Sequence, residues 1–509
     1  MSGLSLFLDG LVTSLQPMNL IAVAVGAILG TIVGVLPGFG PVSAVALLVP
    51  LSFQMSPQTA LIMMAGVYYG AMYGGSTTSI LLNVPGESAS VVTCIDGHQL
   101  ALKGRAGSAL GISAIGSFLA GTFGVVVLMV LAPLLSRVAI VFQPPEYFAL
   151  MVMALIAASS LSEGSLLKAL ISLAAGLMMG TIGIDLQTGT TRFTLGFPEL
   201  LDGIEFLVVG LGLFAVSEVL ALSMESGALA KRITVTTPYP TWKDLRQSWK
   251  AMSRGTLVGT FFGLLPGAGL ITSPFVAYSL EKRVSSRPEE FGHGAIEGVA
   301  SPEAANNAAA SAGFVPLLTL GLPGSATMAL LLGVFIMWGV QPGPMFIPKH
   351  PEIFWPLVAS MYMGNIMLLI LNLPLVPLFA HILDMPRPLL LPVILVFSII
   401  GVYAMDSRMV DVWLLFGFGV LGFFMRLYQF PAAPMIMALV LGPLMENAMR
   451  QSLMMSNGNP MVFMTRPVAL AIFIVAAIFL ALPVIRAWMA HGSIDQGMLP
   501  PENAKPPSI

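Results

Sequence analysis

Three short strings carry most of the polar chemistry of an otherwise oily chain. In the first, Ser76, Thr77, Thr78 and Ser79 follow Gly74-Gly75 and precede Asn83 and Pro85-Gly86. Hydroxyls, a side-chain amide and carbonyls released by a helix break are hard oxygen ligands that suit a small cation. N–H groups freed at a helix start suit a carboxylate. The plainer alternative is that Ser and Thr bond only their own helix backbone. The second string runs Ser301-Pro302-Glu303-Ala304-Ala305-Asn306-Asn307. It reads as a helix start, with Ser301 as N-cap, Pro302 in the first position and Glu303 favourable to the macrodipole. Glu303 stays open between cap and ion ligand. Asn306 and Asn307 open an apolar run, where an amide pair is costly unless it binds something or bonds across helices, so a site role is expected for both. The third string occurs twice, as Pro37-Gly38-x-Gly40 and Pro266-Gly267-x-Gly269. Proline removes a donor and glycine permits positive φ, so a helix must break there. Broken backbone at membrane depth is tolerated only beside protein or a wet cavity.

The elements that position these strings are membrane helices. Of 509 residues, 56% are hydrophobic and 9% charged, against roughly 25% charged in soluble domains. Twenty-two basic and 24 acidic side chains cannot cover a soluble protein of this size, so the surface faces lipid. A formal net charge of -2 provides no basic face for nucleic acid. One cysteine, Cys94, permits no intrachain disulfide and no multi-cysteine metal site. The first Lys or Arg is Lys103, so no basic n-region of a signal peptide is expected and the apolar segments read as mature structure. These segments, from Leu20–Leu36 to Val468–Trp488, are long and continuous rather than alternating, which favours helices over a barrel. Roughly a dozen spans are expected, plus re-entrant or broken segments. The basic stretch from Lys231 to Arg254 divides the chain and, by the positive-inside rule, lies in the cytoplasm. The expected organisation is a first membrane repeat over 1–230, that linker over 231–254, a second repeat with C-terminal spans over 255–490, and a disordered polar tail over 491–509.

The two halves resemble each other. Gly26, Gly30, Gly34, Gly38 and Gly40 fall on Gly255, Gly259, Gly263, Gly267 and Gly269 at an offset of 229 residues. Thr31, Leu36 and Pro37 fall on Thr260, Leu265 and Pro266. Downstream, Pro85-Gly86 falls on Pro323-Gly324, followed by Ser325, at an offset of 238. Two motifs in one order in both halves indicate a duplicated unit. The loop after the first motif, Ser52–Gln58, is uncharged, whereas its counterpart holds Lys282, Arg283 and Arg287. If basic loops stay cytoplasmic, the copies are inverted, and Gly255–Leu280 is a re-entrant hairpin.

Several other matches read as structure. Gly417-Phe418-Gly419-Val420-Leu421-Gly422 fits G-x-G-x-x-G but lies in an apolar segment without a βαβ unit. No P-loop occurs, so no ATPase is expected in this chain, and neither H-E-x-x-H nor G-x-S-x-G is present. Cys94, Asp96 and His98 are a weak metal signal. Asp406, Arg408 and Asp411 read as a mutually paired or solvated loop set. No catalytic constellation and no cofactor is expected, and a membrane enzyme acting on lipid-linked substrate is disfavoured.

GTIVGVLPGFG, GGSTTSILLNVPG, the loop from Asp96 through Gly107, LPGAG, PEAANNA and GLPGSAT together resemble the large membrane subunit (TctA-type) of bacterial tripartite tricarboxylate transporters. The resemblance extends to about Met455, and PEAANNA with a duplicated LPGxG is highly specific. It implies an all-α polytopic protein of the cytoplasmic (inner) membrane and a relation to elevator-type secondary transporters. It also implies import of a tri- or dicarboxylate driven by an ion gradient, with Na⁺ as coupling ion. Two partners are implied: a small membrane subunit and a periplasmic substrate-binding protein. The expected site is a pocket near the bilayer midplane where the breaks of both halves meet. It would draw on Pro37, Gly38, Gly40, Ser76, Thr77, Thr78, Ser79, Asn83, Pro85, Gly86, Pro266, Gly267, Gly269, Glu303, Asn306, Asn307, Pro323, Gly324 and Ser325. The runner-up is a passive organic-anion channel, which would conduct without binding protein or gradient.

Overall fold

The computed structural model describes residues 3–494 except 37, 140, 163, 186, 225–232, 234, 236–238, 268, 385 and 386, with no side-chain description for 384, 387, 388 and 482–494. Apart from a two-residue antiparallel ladder between Gly183–Ile184 and Thr191–Arg192, its regular structure is helical. Among the described residues, six helices are long and apolar enough to span a bilayer, from Pro17–Val35 to Met409–Leu427. Six further apolar helices have 10–17 described residues, and Pro and Gly interrupt several of the expected spans. Thus the largely apolar stretch 314–338 is two helices, Phe314–Leu320 and Ala326–Met337.

The duplicated strings build two like substructures. In the first half, Pro17–Val35 and Gly40–Leu48 pack together as the first hairpin. In the second half, Trp242–Gly263 and Gly269–Val284 form the second hairpin. Arg254 Nε and Nη2 donate to Glu281 at 2.8 and 2.5 Å. Those two residues are almost equally far from the Pro266-Gly267 tip, so the arms run antiparallel. The stretch 242–254, expected as linker, is the first half of that hairpin's leading arm. Lys231 and Arg232 lie outside the described residues. The last helix runs Pro467–Ile494, and 495–509 also lie outside them.

Each hairpin lies on a core helix through its glycines. A methyl group at Gly26, Gly30 or Gly34 would overlap the carbonyl oxygens of Met63, Val67 and Ala71, in the first core helix Pro57–Leu82. A methyl at Gly255, Gly259 or Gly263 would overlap those of Ser301, Ala305 and Ala309, in the second core helix Glu297–Ala312. Hairpin contacts and core contacts thus keep the sequence offsets of 229 and 238. Small residues every fourth position let backbones touch, which supplies the dispersion that holds helices together in lipid. Both core helices are enclosed by protein: every residue from Thr59 to Leu82 and from Glu297 to Ala312 is buried. They face each other with opposite sense, since Tyr69 Oη donates to Ser311 Oγ (3.0 Å) while Ser76 Oγ donates to Glu303 Oε2 (2.5 Å). Packing between the halves is reciprocal. The Ala106–Ala139 helix packs on the second core helix, and the Pro351–Asn372 helix packs on the first.

Two local readings are corrected. Ser301 is not an N-cap: the second core helix begins at Glu297, and Pro302 lies inside it. What organises that start is Asp96, fully buried. Its Oδ1 accepts the N–H groups of Gly292, Gly294 and Ala295 at 2.7–2.9 Å, and its Oδ2 accepts Tyr278 Oη at 2.9 Å. A carboxylate reaching across 196 residues of sequence sets the entry angle of the chain that a local cap was expected to set. The segment Asp96–Gly107 is also not a loop. It is helical, with a kink where Gly104 takes φ 75°. After the kink, Arg105 pairs with Asp244 (2.5 Å) at the start of the second hairpin. Burial pushes the Asp244 carboxyl up, but bonds from Thr241 and Ser108 and the Arg105 charge outweigh it and hold the group below its usual range.

Asp96→Ala leaves three N–H groups, one buried and two part-buried, without this acceptor, each worth about 1–3 kcal/mol. The expected result is a loss of at least ~3 kcal/mol, read as a lower thermal midpoint of the detergent-purified protein. Asp96→Asn, which retains one acceptor oxygen, loses less.

Candidate functional site: a cavity where four helix breaks converge

The breaks are built alike in both halves. The first core helix ends at Leu82, and Asn83 caps it in the left-handed region (φ 59°). At the offset of 238, Gly321 caps Phe314–Leu320 in the same region (φ 70°). Asn83, expected as a ligand, therefore serves as the helix terminator. The chain then passes through Pro85-Gly86 or Pro323-Gly324 without regular structure and re-enters a helix. Glu87 and Ser325 hold matching extended N-cap positions there, with φ of -150° and -161°. Ser325 Oγ accepts the N–H of Met328 (3.2 Å), as an N-cap does. At the hairpin tips, Gly38 and Gly267 take φ of 86° and 105°. A side chain on Gly38 would collide with Glu218, and one on Gly267 with Ala157.

All four breaks line one cavity of about 560 Å³. Of the expected residues, Gly38, Gly40, Pro85, Gly86, Gly267, Gly324 and Ser325 line it. Four helix beginnings open onto it, represented by Gly40–Ser43, Ser88–Ala89, Leu270–Ile271 and Ala326–Thr327. Each first turn offers N–H groups without intrahelical partners and the positive end of a dipole, a setting that favours an anion without a buried ammonium.

Three charged side chains line the cavity, and the sequence reading missed all of them: Glu87, Glu218 and Arg426. Arg426, in the last turn of Met409–Leu427, bonds Glu218 Oε2 through Nη1. Its side chain keeps 51% exposure while that of Glu218 has 9%, so the guanidinium is not enclosed by the ion pair. The signal for Glu218 was present: an acidic residue within an apolar segment is a functional candidate by default. Arg426 stands at the end of an apolar stretch, where a basic residue reads as an interfacial flank. Glu87 directly follows Pro85-Gly86.

Of the remaining expected residues, Ser76, Thr77, Thr78, Ser79, Glu303, Asn306 and Asn307 form a buried layer that does not line the cavity. Asn306 Nδ2 donates to Glu87 Oε1 (2.8 Å) and so connects the layer to the wall. Glu303, 1% exposed, accepts Ser76 Oγ, Thr93 Oγ1 and Ser113 Oγ. Asn307 Nδ2 donates to Ser117 Oγ (2.7 Å). Thr78 Oγ1 donates to the Val35 carbonyl near the first hairpin's tip (2.7 Å), and Ser79 Oγ lies 3.0 Å from Ser90 Oγ. Thr77 is buried in the first core helix. Pro266, Gly269 and Pro323 adjoin the lining residues without lining the cavity, and Pro37 lies outside the described residues.

The other sequence signals resolve as packing or pairing. Gly419 and Gly422 meet Val216 and Leu213, which accounts for the G-x-G-x-x-G match. Arg408 pairs with Asp406, Asp411 and Asp202. No group of three or more His, Cys, Asp or Glu side chains among the described residues could hold a metal ion.

A model of the tripartite tricarboxylate transporter TctA family matches residues 20–437. Two curated relatives come from Agrobacterium vitis. An uncharacterized 52.8 kDa protein in the TAR-I ttuC' 3' region is 47% identical over 482 residues, covering 94% of this chain and 96% of the relative. An uncharacterized protein in the TAR-II ttuC' 3' region is 45% identical over 232 residues, covering 45% of this chain and 96% of the relative. No solved structure matches.

Proposed function

Since the chain belongs to the tripartite tricarboxylate transporter TctA family, it is a multi-pass inner-membrane transport protein and not an enzyme; from that premise we propose that it imports a tri- or dicarboxylate in symport with Na⁺. In this reading the cavity is the substrate site, and the observation that carries it is that the breaks of both halves and Arg426 line one chamber. Arg426 grips one carboxylate in a forked bond. The helix beginnings hold a second, and a cation offsets the remaining charge. The periplasmic substrate-binding protein delivers the anion and the small membrane subunit completes the complex.

We read the two halves as inverted repeats of an elevator-type carrier. Three observations support this. Equivalent core helices run with opposite sense, packing between halves is reciprocal as a two-fold axis requires, and basic residues follow only the second hairpin. The test is uptake of radiolabelled di- and tricarboxylates into vesicles holding this chain and both partners. Uptake should need an inward Na⁺ gradient and the binding protein. Gradient-independent conduction without the binding protein would replace the carrier with a channel.

A further inference from the structure

Glu303 presents a charge problem. It is 1% exposed, lies in a helix with no exposed residue, and has no Lys, Arg or His within ion-pair distance among the described residues. Its partners are hydroxyls from three other segments. Ser76 belongs to the first core helix, Thr93 to Val91–Leu100 and Ser113 to Ala106–Ala139, the last at 3.0 Å. Hydroxyls satisfy the lone pairs of a carboxylate but supply no compensating charge, and an isolated buried charge is among the costliest features a protein can hold.

A second, independent observation lies one turn further along the same helix. The Asn307 amide is fixed there by its bonds to Ser117 Oγ (2.7 Å) and to the Glu303 carbonyl (3.2 Å). Its own carbonyl oxygen, Oδ1, is buried without a partner, and Asn307 is 1% exposed. The set on offer is one carboxylate, one unused amide oxygen and several hydroxyls whose second lone pairs are free. Such hard, neutral-to-singly-charged oxygen donors match a small monovalent cation and not a transition metal.

We infer that the cage around Glu303, built by Ser76, Thr93, Ser113 and Asn307, is the binding site of the coupling monovalent cation. This deepens the symport reading and rests on it. The site also has a mechanical connection to the cavity. Asn306, next to Asn307 on the same helix, donates to Glu87 on the cavity wall. A cation drawing Asn307 and Glu303 together fixes that helix face, and with it the Asn306–Glu87 bond. Cation and anion then order each other's site through two adjacent amides, without touching.

The test uses the full-length chain purified in detergent, with Na⁺ alone as probe against matched choline chloride, read by thermal unfolding at fixed pH. The wild-type midpoint rises with Na⁺. Glu303→Gln abolishes that rise, and Ser113→Ala shifts its half-maximal Na⁺ concentration by about tenfold, as losing ~1.4 kcal/mol would. Thr93→Val, which removes a hydroxyl from another segment, gives a shift of like size and guards against misfolding of either variant. The inference is overturned by no Na⁺-specific rise in the wild type, by a rise unchanged in these variants, or by a rise that follows pH instead of Na⁺, which would assign the cage to a proton. A separate arm measures stabilisation by citrate and tricarballylate in Arg426→Gln. Loss of anion stabilisation there with the Na⁺ rise intact upholds the cage, and an anion response unchanged by that variant counts against the cavity reading without touching the cage.

Discussion

Arg426→Gln abolishes carboxylate uptake while membrane levels of the protein stay near normal. The Arg426 side chain is half-exposed, lines the cavity and is held by Glu218. Two lost charge-assisted hydrogen bonds to substrate, at about 1.5–3 kcal/mol each, correspond to a fall in apparent affinity of roughly 10² to 10⁴. Arg426→Lys retains the charge but not the planar fork, so it restores only part of the activity. Arg426→Gln also leaves the Glu218 carboxylate without this cation. The double variant Glu218→Gln/Arg426→Gln removes both charges and separates a folding defect from a binding one: it should match the wild type in abundance and the single variant in uptake. Wild-type uptake in Arg426→Gln would exclude the residue from the site.

Gly30→Ala and Gly259→Ala fail to assemble a stable protein, and they fail alike. Each glycine is pressed against a core-helix carbonyl, of Val67 and Ala305 respectively, with no room for a methyl. Separating the two backbones opens the contact that replaces the hydrophobic effect between helices in lipid. Overpacking in a tight core costs about 1–3 kcal/mol, and here the obstacle is backbone that no rotamer change can relieve. Fluorescence-detected size-exclusion chromatography of detergent extracts should show reduced monodisperse protein for both. Gly417→Ala, whose added methyl would meet open space, is the matched control and should behave as wild type. A stable Gly259→Ala protein would contradict the close contact in the second half.

What could be read from the sequence followed from chemistry that is local. Glycine stripes and Pro-Gly breaks are short-range signals, so the duplicated unit and the places where helices stop were legible. What was not legible depends on distant partners. Asp96 organises the start of the second core helix from far away in sequence, so Ser301 was read as the cap. Asn83 looked like a ligand because its amide is one, but its backbone sits where Gly321 sits in the other half and terminates a helix. Thr93, Ser113 and Ser117 converge on Glu303 and Asn307 only after three helices pack together. Glu218 and Arg426 are brought face to face from positions 208 residues apart, and no local pattern announces such a pair.

In the proposed carrier the breaks of both halves enclose one anion in one chamber. Cys94 is the only cysteine, so a Cys94→Ala background gives single-cysteine reporters at Ser88→Cys in the first half and Ile271→Cys in the second, both on the cavity lining. The direct measurement is the rate of thiol labelling in Na⁺-loaded vesicles, with and without a carboxylate already shown to be taken up. The account predicts that the substrate slows labelling at both positions with the same concentration dependence. Protection at one position alone, or at neither, would contradict it.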